Sequence, residues 1–305
     1  MAESVGTIQN KANEKLTKQS NFISDALVNK LLADIGLISK NNRLVFDTDY
    51  FSQLENRIIN YTKELGYDKM VNSYLSNYDK VYDNLENYYA RQKILLENEA
   101  INERINEIYR KQLADSFALE NAINARDLAR TLREQALLGM TIKEAQANMK
   151  ALSSSPSNSS QTVMTYRIDQ VVHDAIMQYD GLHNANIAQQ YDLKDFYYFS
   201  SIIETSRPIC THIKDTFPGI ITKEQLKTVL DEYCPNGQPS KKRIEYETVN
   251  GVIRTLQKGS GMIDGTVLSN FAVNRGGHRC RHEVKFTFST KSSKDIAKSI
   301  IDSLD

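Results

Sequence analysis

Asn274-Arg275-Gly276-Gly277-His278-Arg279-Cys280-Arg281-His282-Glu283 is the stretch around which the C-terminal part of the chain reads most coherently. It holds two of the five histidines, one of the three cysteines and three arginines. The glycine pair allows backbone geometry closed to other residues. The run that follows, Val284-Lys285-Phe286-Thr287-Phe288, alternates apolar and polar as a half-buried strand does. If the strand starts a few residues earlier, its period of two puts His278, Cys280 and His282 on one face.

A second element lies upstream, Arg207-Pro208-Ile209-Cys210-Thr211-His212, and repeats the Cys-x-His spacing. Two Cys/His pairs about 70 residues apart make one four-coordinate site if the fold unites them. The candidate metal ligands are therefore Cys210, His212, Cys280 and His282, with His278 in reserve. Mixed thiolate and imidazole ligands suit Zn²⁺. Ordinary zinc modules separate paired ligands by two to four residues, and here one residue does so. The competing account makes Cys210 and Cys280 small core residues and the histidines polar bystanders. Cys234 sits beside Pro235 in a turn and is left out of the set.

The chain has 305 residues, 40% hydrophobic and 25% charged, which is ample for a sizeable core and enough for two domains. Lys+Arg and Asp+Glu both count 38, a balance that argues against a dedicated non-specific DNA binder while leaving room for a local basic patch. No apolar run is long enough to span a membrane, so no membrane partner is expected. Met1-Ala2-Glu3-Ser4 lacks the basic-then-apolar layout of a secretory signal. Three scattered cysteines fit a reducing compartment better than a disulfide framework.

Ile23, Leu27, Leu31, Leu32 and Ile35 recur at helical spacing, with Ser20 as the expected N-cap and Gly36 as the stop. Residues 48–65 read as a second helix, ended by Gly66. From Asp68 to Leu138 there is no Pro or Gly, which predicts a long helical region of two or more helices. Its stripe of Tyr74, Tyr78, Val81, Tyr82, Leu85 and Tyr88 reads as a helix–helix packing face. The functional alternative is a stacking surface for single-stranded nucleic acid. Thr141 and Glu144 have capping-box spacing. The Ser-rich run from Ser153 to Ser160 reads as a linker. A helix over 162–190, broken at Gly181, is expected next, with Asp169 and His173 on one face. Phe196 to Ile203 favours a strand, and Thr222 caps a helix to about Tyr233.

The predicted class is α+β. A helical N-terminal region over 1–152 is followed by a linker over 153–161, a small zinc-stapled α+β domain over 162–290 and a charged tail over 291–305. Other chemistries are weaker. A nucleophilic Cys–His pair lacks a recognisable oxyanion hole or orienting acid. Glu245-Tyr246-Glu247 resembles the paired glutamates of ADP-ribosylating enzymes, yet such a pair is more often a solvated strand face. Arg275, Arg279 and Arg281 can meet phosphate or local acids. No Walker loop, dinucleotide fingerprint or nucleophile elbow is present in the sequence.

At these residues the sequence resembles the phage minor head proteins of the Mu F-like family. Members typically carry an Arg-containing element ending in Cys or His, and later a closing element of the His-x-x-Cys-Arg-Cys or Cys-Arg-His type. Ser206-Arg207-Pro208-Ile209-Cys210 resembles the first, and Cys280-Arg281-His282 the second. The aromatic strand before the first element and the helix carrying Arg167 fit the same layout. The His-Pro that often precedes the closing Cys is absent; Gly277 stands three residues ahead of Cys280, and His278 two. The resemblance spans about 162 to 288, and the helical half matches in general character only. It implies that Cys210, Cys280 and His282 lie together around a metal. It further implies a virion structural protein of a tailed phage, present in few copies near the portal and acting in head assembly or in DNA packaging and delivery. Portal and capsid proteins, and packaged DNA, would be its partners in a multi-chain assembly. It would reside in the virion, and in host cytoplasm during assembly. The competing class is a metal-dependent enzyme, a nuclease or transferase, using the same Cys/His cluster.

Overall fold

The computed structural model describes residues 4–92, 99–153, 162–199, 206–240, 245–249, 252–256, 262–276, 280 and 282–288. In chain order the elements are α1 (Val5–Leu37), β1 (Ser39–Lys40), β2 (Arg43–Leu44), α2 (Thr48–Glu64), α3 (Tyr67–Leu75), α4 (Asn77–Ala90), α5 (Glu99–Leu137) and α6 (Ile142–Ser153). There follow α7 (Val163–Val172), α8 (Ala175–Gln190), β3 (Asp195–Phe199), α9 (Pro208–Thr216), β4 (Ile220–Ile221), α10 (Lys223–Tyr233), β5 (Glu245–Val249), β6 (Val252–Leu256), α11 (Phe271–Asn274) and β7 (Glu283–Thr287). A long helical region followed by a smaller segment with a few strands is the α+β class that the sequence predicts. Among the described residues no helix is long and apolar enough to cross a membrane.

The chain divides into two compact units, and the division does not follow the Ser-rich run. One unit comprises Gln9–Asn77 and Asn106–Ala175; the other comprises Met1–Ile8, Tyr78–Ile105 and Ile176–Asp305. Helix α7, expected with the C-terminal domain, therefore belongs to the first, mainly helical unit, which also holds the short β1–β2 pair, and nearly all of α4 belongs to the second. The run 154–161 lies outside the described residues.

In the helical unit, Leu27, Leu31 and Ile35 of α1 pack with Phe51, Leu54 and Ile58 of α2, Leu128 and Leu132 of α5, and Met149 of α6. The caps are local and legible: Asp47 accepts from the amide of Tyr50, Gly66 takes φ +96° between α2 and α3, and Thr141 and Glu144 bond reciprocally. Ser20 is not an N-cap. It lies fully buried inside α1, and its hydroxyl bonds the backbone oxygen of Thr17 and the hydroxyl of Thr165. A tertiary partner for the hydroxyl thus replaces the expected cap, and the helix runs through.

In the second unit, three antiparallel strands take the order β4-β3-β7, and β5-β6 form a separate hairpin. Phe196, Tyr198 and Val284 bury one face against Ile209 and Ile213 of α9, Leu226 and Leu230 of α10, and Phe271. The tyrosine stripe is a packing face here. Tyr78 stacks on Tyr179 of α8 with centroids 4.3 Å apart, and the Tyr89 hydroxyl donates to Asn184 at 2.7 Å. Within the stripe, Tyr74 and Tyr78 are buried and closed to stacking on nucleic acid, while Tyr82 and Tyr88 are half-buried.

Helix α8 is continuous through Gly181, contrary to the expected break. The glycine serves close approach instead: a Cβ there would stand 2.1 Å from the carbonyl oxygen of Ala272 in α11. Next to it Asp180, fully buried, accepts from Lys285 of β7 at 2.5 Å and from Arg275 at 3.3 Å. His183 is buried too, between the rings of Tyr82 and Tyr179, and neither ring nitrogen meets a hydrogen-bond partner among the described residues.

Gly181→Ala should lower the urea midpoint by an amount equivalent to about 1–3 kcal/mol, because backbone must move to admit one methyl. Gly36→Ala, with nothing within 4 Å of the new carbon, should leave it unchanged or raise it slightly. Burial lowers the pKa of His183 from 6.5 to about 4. The unfolded chain therefore takes up this proton first, so the histidine's contribution is intact above pH 6.5 and is lost as pH falls toward 4. Urea unfolding at pH 7 and pH 4.5 should show wild type losing more stability than His183→Phe, with a full difference of up to about 3 kcal/mol. Equal losses in the two proteins would contradict this account.

Candidate metal centre

Cys210, Cys280 and His282 converge and are all buried. Helix α9 begins with Pro208 at its first position, where a missing N–H costs nothing, and Cys210 falls in its first turn facing the core. Cys280 and His282 come just before β7, which pairs with β3 in a register that sets Tyr198 opposite Val284. Alternation then carries Val284, His282 and Cys280 along the face that Tyr198 occupies. The period-two reading of Cys280 and His282 leads to the same cluster.

The Cys210 and Cys280 sulfurs lie 3.9 Å apart, and Cys280 Sγ lies 3.6 Å from His282 Nδ1. All three ligand atoms fall within 4.8 Å of one another. A tetrahedral zinc with bonds of about 2.3 Å to sulfur and about 2.0 Å to nitrogen requires edges of about 3.8 Å and about 3.5 Å. The residues therefore fit a metal ion without rearrangement of these edges. The other ring nitrogen, His282 Nε2, meets no hydrogen-bond partner among the described residues, so it adds nothing to this fit. Gly276 abuts the group so closely that a Cβ would stand 2.3 Å from Cys210 Sγ. Its carbonyl accepts from Arg207 at 3.1 Å, which ties the glycine segment to the start of α9.

The thiols hold unequal protons. The hydrogen bond from Cys210 pulls the Cys280 thiol well below its usual range, with His282 and Tyr198 adding to the effect. The same bond, and then burial, push Cys210 upward. A divalent cation would favour the thiolate form of both. Tyr198 joins both sulfurs. Its hydroxyl is 3.4 Å from Cys210 Sγ and 3.3 Å from Cys280 Sγ, and its ring stacks on His282 at 4.7 Å and 2°. Sequence reading missed Tyr198 and the spatial role of Gly276; the aromatic run marks a strand but not which of its rings meets a sulfur.

His212 does not join the group. On a helix, two residues turn the side chain by about 200°, and His212 packs instead against Tyr233 and Phe217, with centroids 5.4 Å and 6.5 Å away. His278, Arg279 and Arg281 lie outside the described residues. Arg275 is buried, with its guanidinium on Asp180 and the Met177 carbonyl. His173 pairs with Asp174 at 3.3 Å. Glu245, Tyr246 and Glu247 form the backbone of β5, and their side chains lie outside the description. A separate cavity of about 910 Å³, lined by Leu182, Phe196, Leu226, Phe271 and Phe286 among others, is mainly apolar and holds no cluster of cation ligands among the described residues.

Comparison of the chain with protein-family models, with curated proteins and with solved structures finds no match in any of the three.

Proposed function

We propose that the chain is a minor head protein of a tailed phage whose C-terminal unit is held by a structural zinc. The observation that carries this reading is the meeting of Cys210 with Cys280 and His282 across about 70 residues of sequence. The Mu F-like resemblance implies that meeting from two short motifs, and nothing in composition requires it. Zinc suits this mixed thiolate and imidazole set. Two thiolates and a neutral imidazole cancel a divalent charge, so the buried centre carries no net charge, whereas a monovalent ion would leave one. The chain's own part is to orient the sulfurs and imidazole and keep water from them, and the metal supplies cross-linking strength. Its partners are the portal and capsid proteins, met near the portal during head assembly or DNA packaging.

A metal-dependent nuclease or transferase is the second reading. One observation favours it: three ligands among the described residues leave a coordination position for water or substrate. Burial of all three weighs toward the structural role.

Elemental analysis of the purified chain should find one tightly held zinc. Cys280→Ala combined with His282→Ala should release it and lower thermal stability, while His212→Ala should retain it. A wild-type protein free of metal would sink the ligand assignment, and cleavage of DNA or turnover of nucleotides by the zinc-loaded form would favour the enzyme. The head assignment has its own test. In particles of the phage that encodes it, mass spectrometry should find the chain at few copies per portal, and particles lacking it entirely would refute the assignment.

A further inference from the structure

We infer that Tyr198 is the positioning residue of the metal centre, donating its hydroxyl hydrogen bond to the bound thiolates without itself ligating the ion. This rests on the metal reading above and deepens it. Tyr198 touches every ligand so far located: the two sulfurs through Oη, at 3.4 Å and 3.3 Å, and His282 through its ring. It is the only aromatic ring stacked on His282 among the described contacts.

Distance alone would let Tyr198 be a fourth ligand, since its oxygen lies 3.4 Å and 3.3 Å from the two sulfurs. The ring geometry argues otherwise. A metal bound to imidazole lies in the imidazole plane. The Tyr198 ring is parallel to that plane within 2° and stacked on it. Parallel rings in van der Waals contact are about 3.5 Å apart, well beyond a metal–oxygen bond of about 2.0–2.2 Å. The hydroxyl therefore stays off the ion and meets the sulfurs. The phenol hydroxyl is a hydrogen-bond donor to sulfur. A thiolate that accepts a hydrogen bond is less basic and less reactive, and the stacked ring fixes the plane of the imidazole. The position of Tyr198 follows from the β3–β7 register, so the strand pairing sets the ligand geometry as well as the core.

Tyr198→Phe keeps the ring on His282 and removes the donor. Competition with a chelator of known affinity should show its zinc dissociation constant raised about 10–100-fold over wild type. In cobalt-substituted protein the sulfur-to-metal charge-transfer band should shift, because the sulfurs lose a hydrogen bond. Tyr197→Phe, on the opposite face of the same strand, should match wild type in both. Equal zinc affinity and an unshifted band in Tyr198→Phe would overturn the inference and leave the metal centre standing. Should that variant not fold, wild-type chain carrying 3-fluorotyrosine supplies a stronger donor at the same place, and an unshifted cobalt band there would overturn it equally. A wild-type chain that binds neither zinc nor cobalt would overturn the metal reading and this inference together.

Discussion

The antiparallel pairing of β3 with β7 is the constraint on which the C-terminal unit depends. Its register sets Phe196 opposite Phe286, Tyr197 opposite Lys285 and Tyr198 opposite Val284. With side chains alternating, one face receives Phe196, Tyr198, Val284 and, beyond the strand, His282 and Cys280. The other receives Lys285 and Glu283. A slip of one residue would exchange these sets, turning the ligands away from Cys210 and driving Lys285 into the apolar core. Such an error is too costly to persist, so the metal centre and the core are specified by the same hydrogen bonds.

The charged face has its own logic. Asp180 is one buried anion facing two cations, Lys285 and Arg275. Glu283 stands 3.7 Å from Lys285 and accepts from the amide of Val5 at 2.8 Å, satisfying a free N–H at the start of α1. Burial is the chief influence raising the Glu283 pKa. Arg275 holds φ +49°, an unusual value for a side chain of its size, and its guanidinium is anchored on Asp180 and the Met177 carbonyl. Arg275 immediately precedes Gly276, which lies against Cys210. The charge cluster on one face therefore fixes where the backbone crosses to the sulfurs.

Much of this was legible because it is local. The periodicity of α2, the reciprocal caps at Thr222 with Gln225 and at Thr141 with Glu144, and the aromatic signature of β3 all depend on near neighbours. What was not legible depends on residues far away in sequence. Ser20 reads as a cap until Thr165 is known to meet it, and Gly181 reads as a break until Ala272 is seen to need its space. His212 shares its spacing with His282, but Pro208 opens a helix where the other pair precedes a strand. The same Cys-x-His text thus diverges in one element and aligns in the other. Arg275 looks like a phosphate contact by charge alone, and only the fold reveals Asp180 beneath it.

The hairpin β5–β6 pairs with itself alone among the described strands and lies between α10 and α11, inside the span from Cys210 to Cys280. The span is already long, so closing it is governed by a logarithm: doubling its length adds only about 0.6 kcal/mol to the closure cost. A protein built this way has a fixed base and an inexpensive excursion above it. Related chains could lengthen, shorten or replace that hairpin to suit a different neighbour, while the two ends of the excursion return to the same sulfurs.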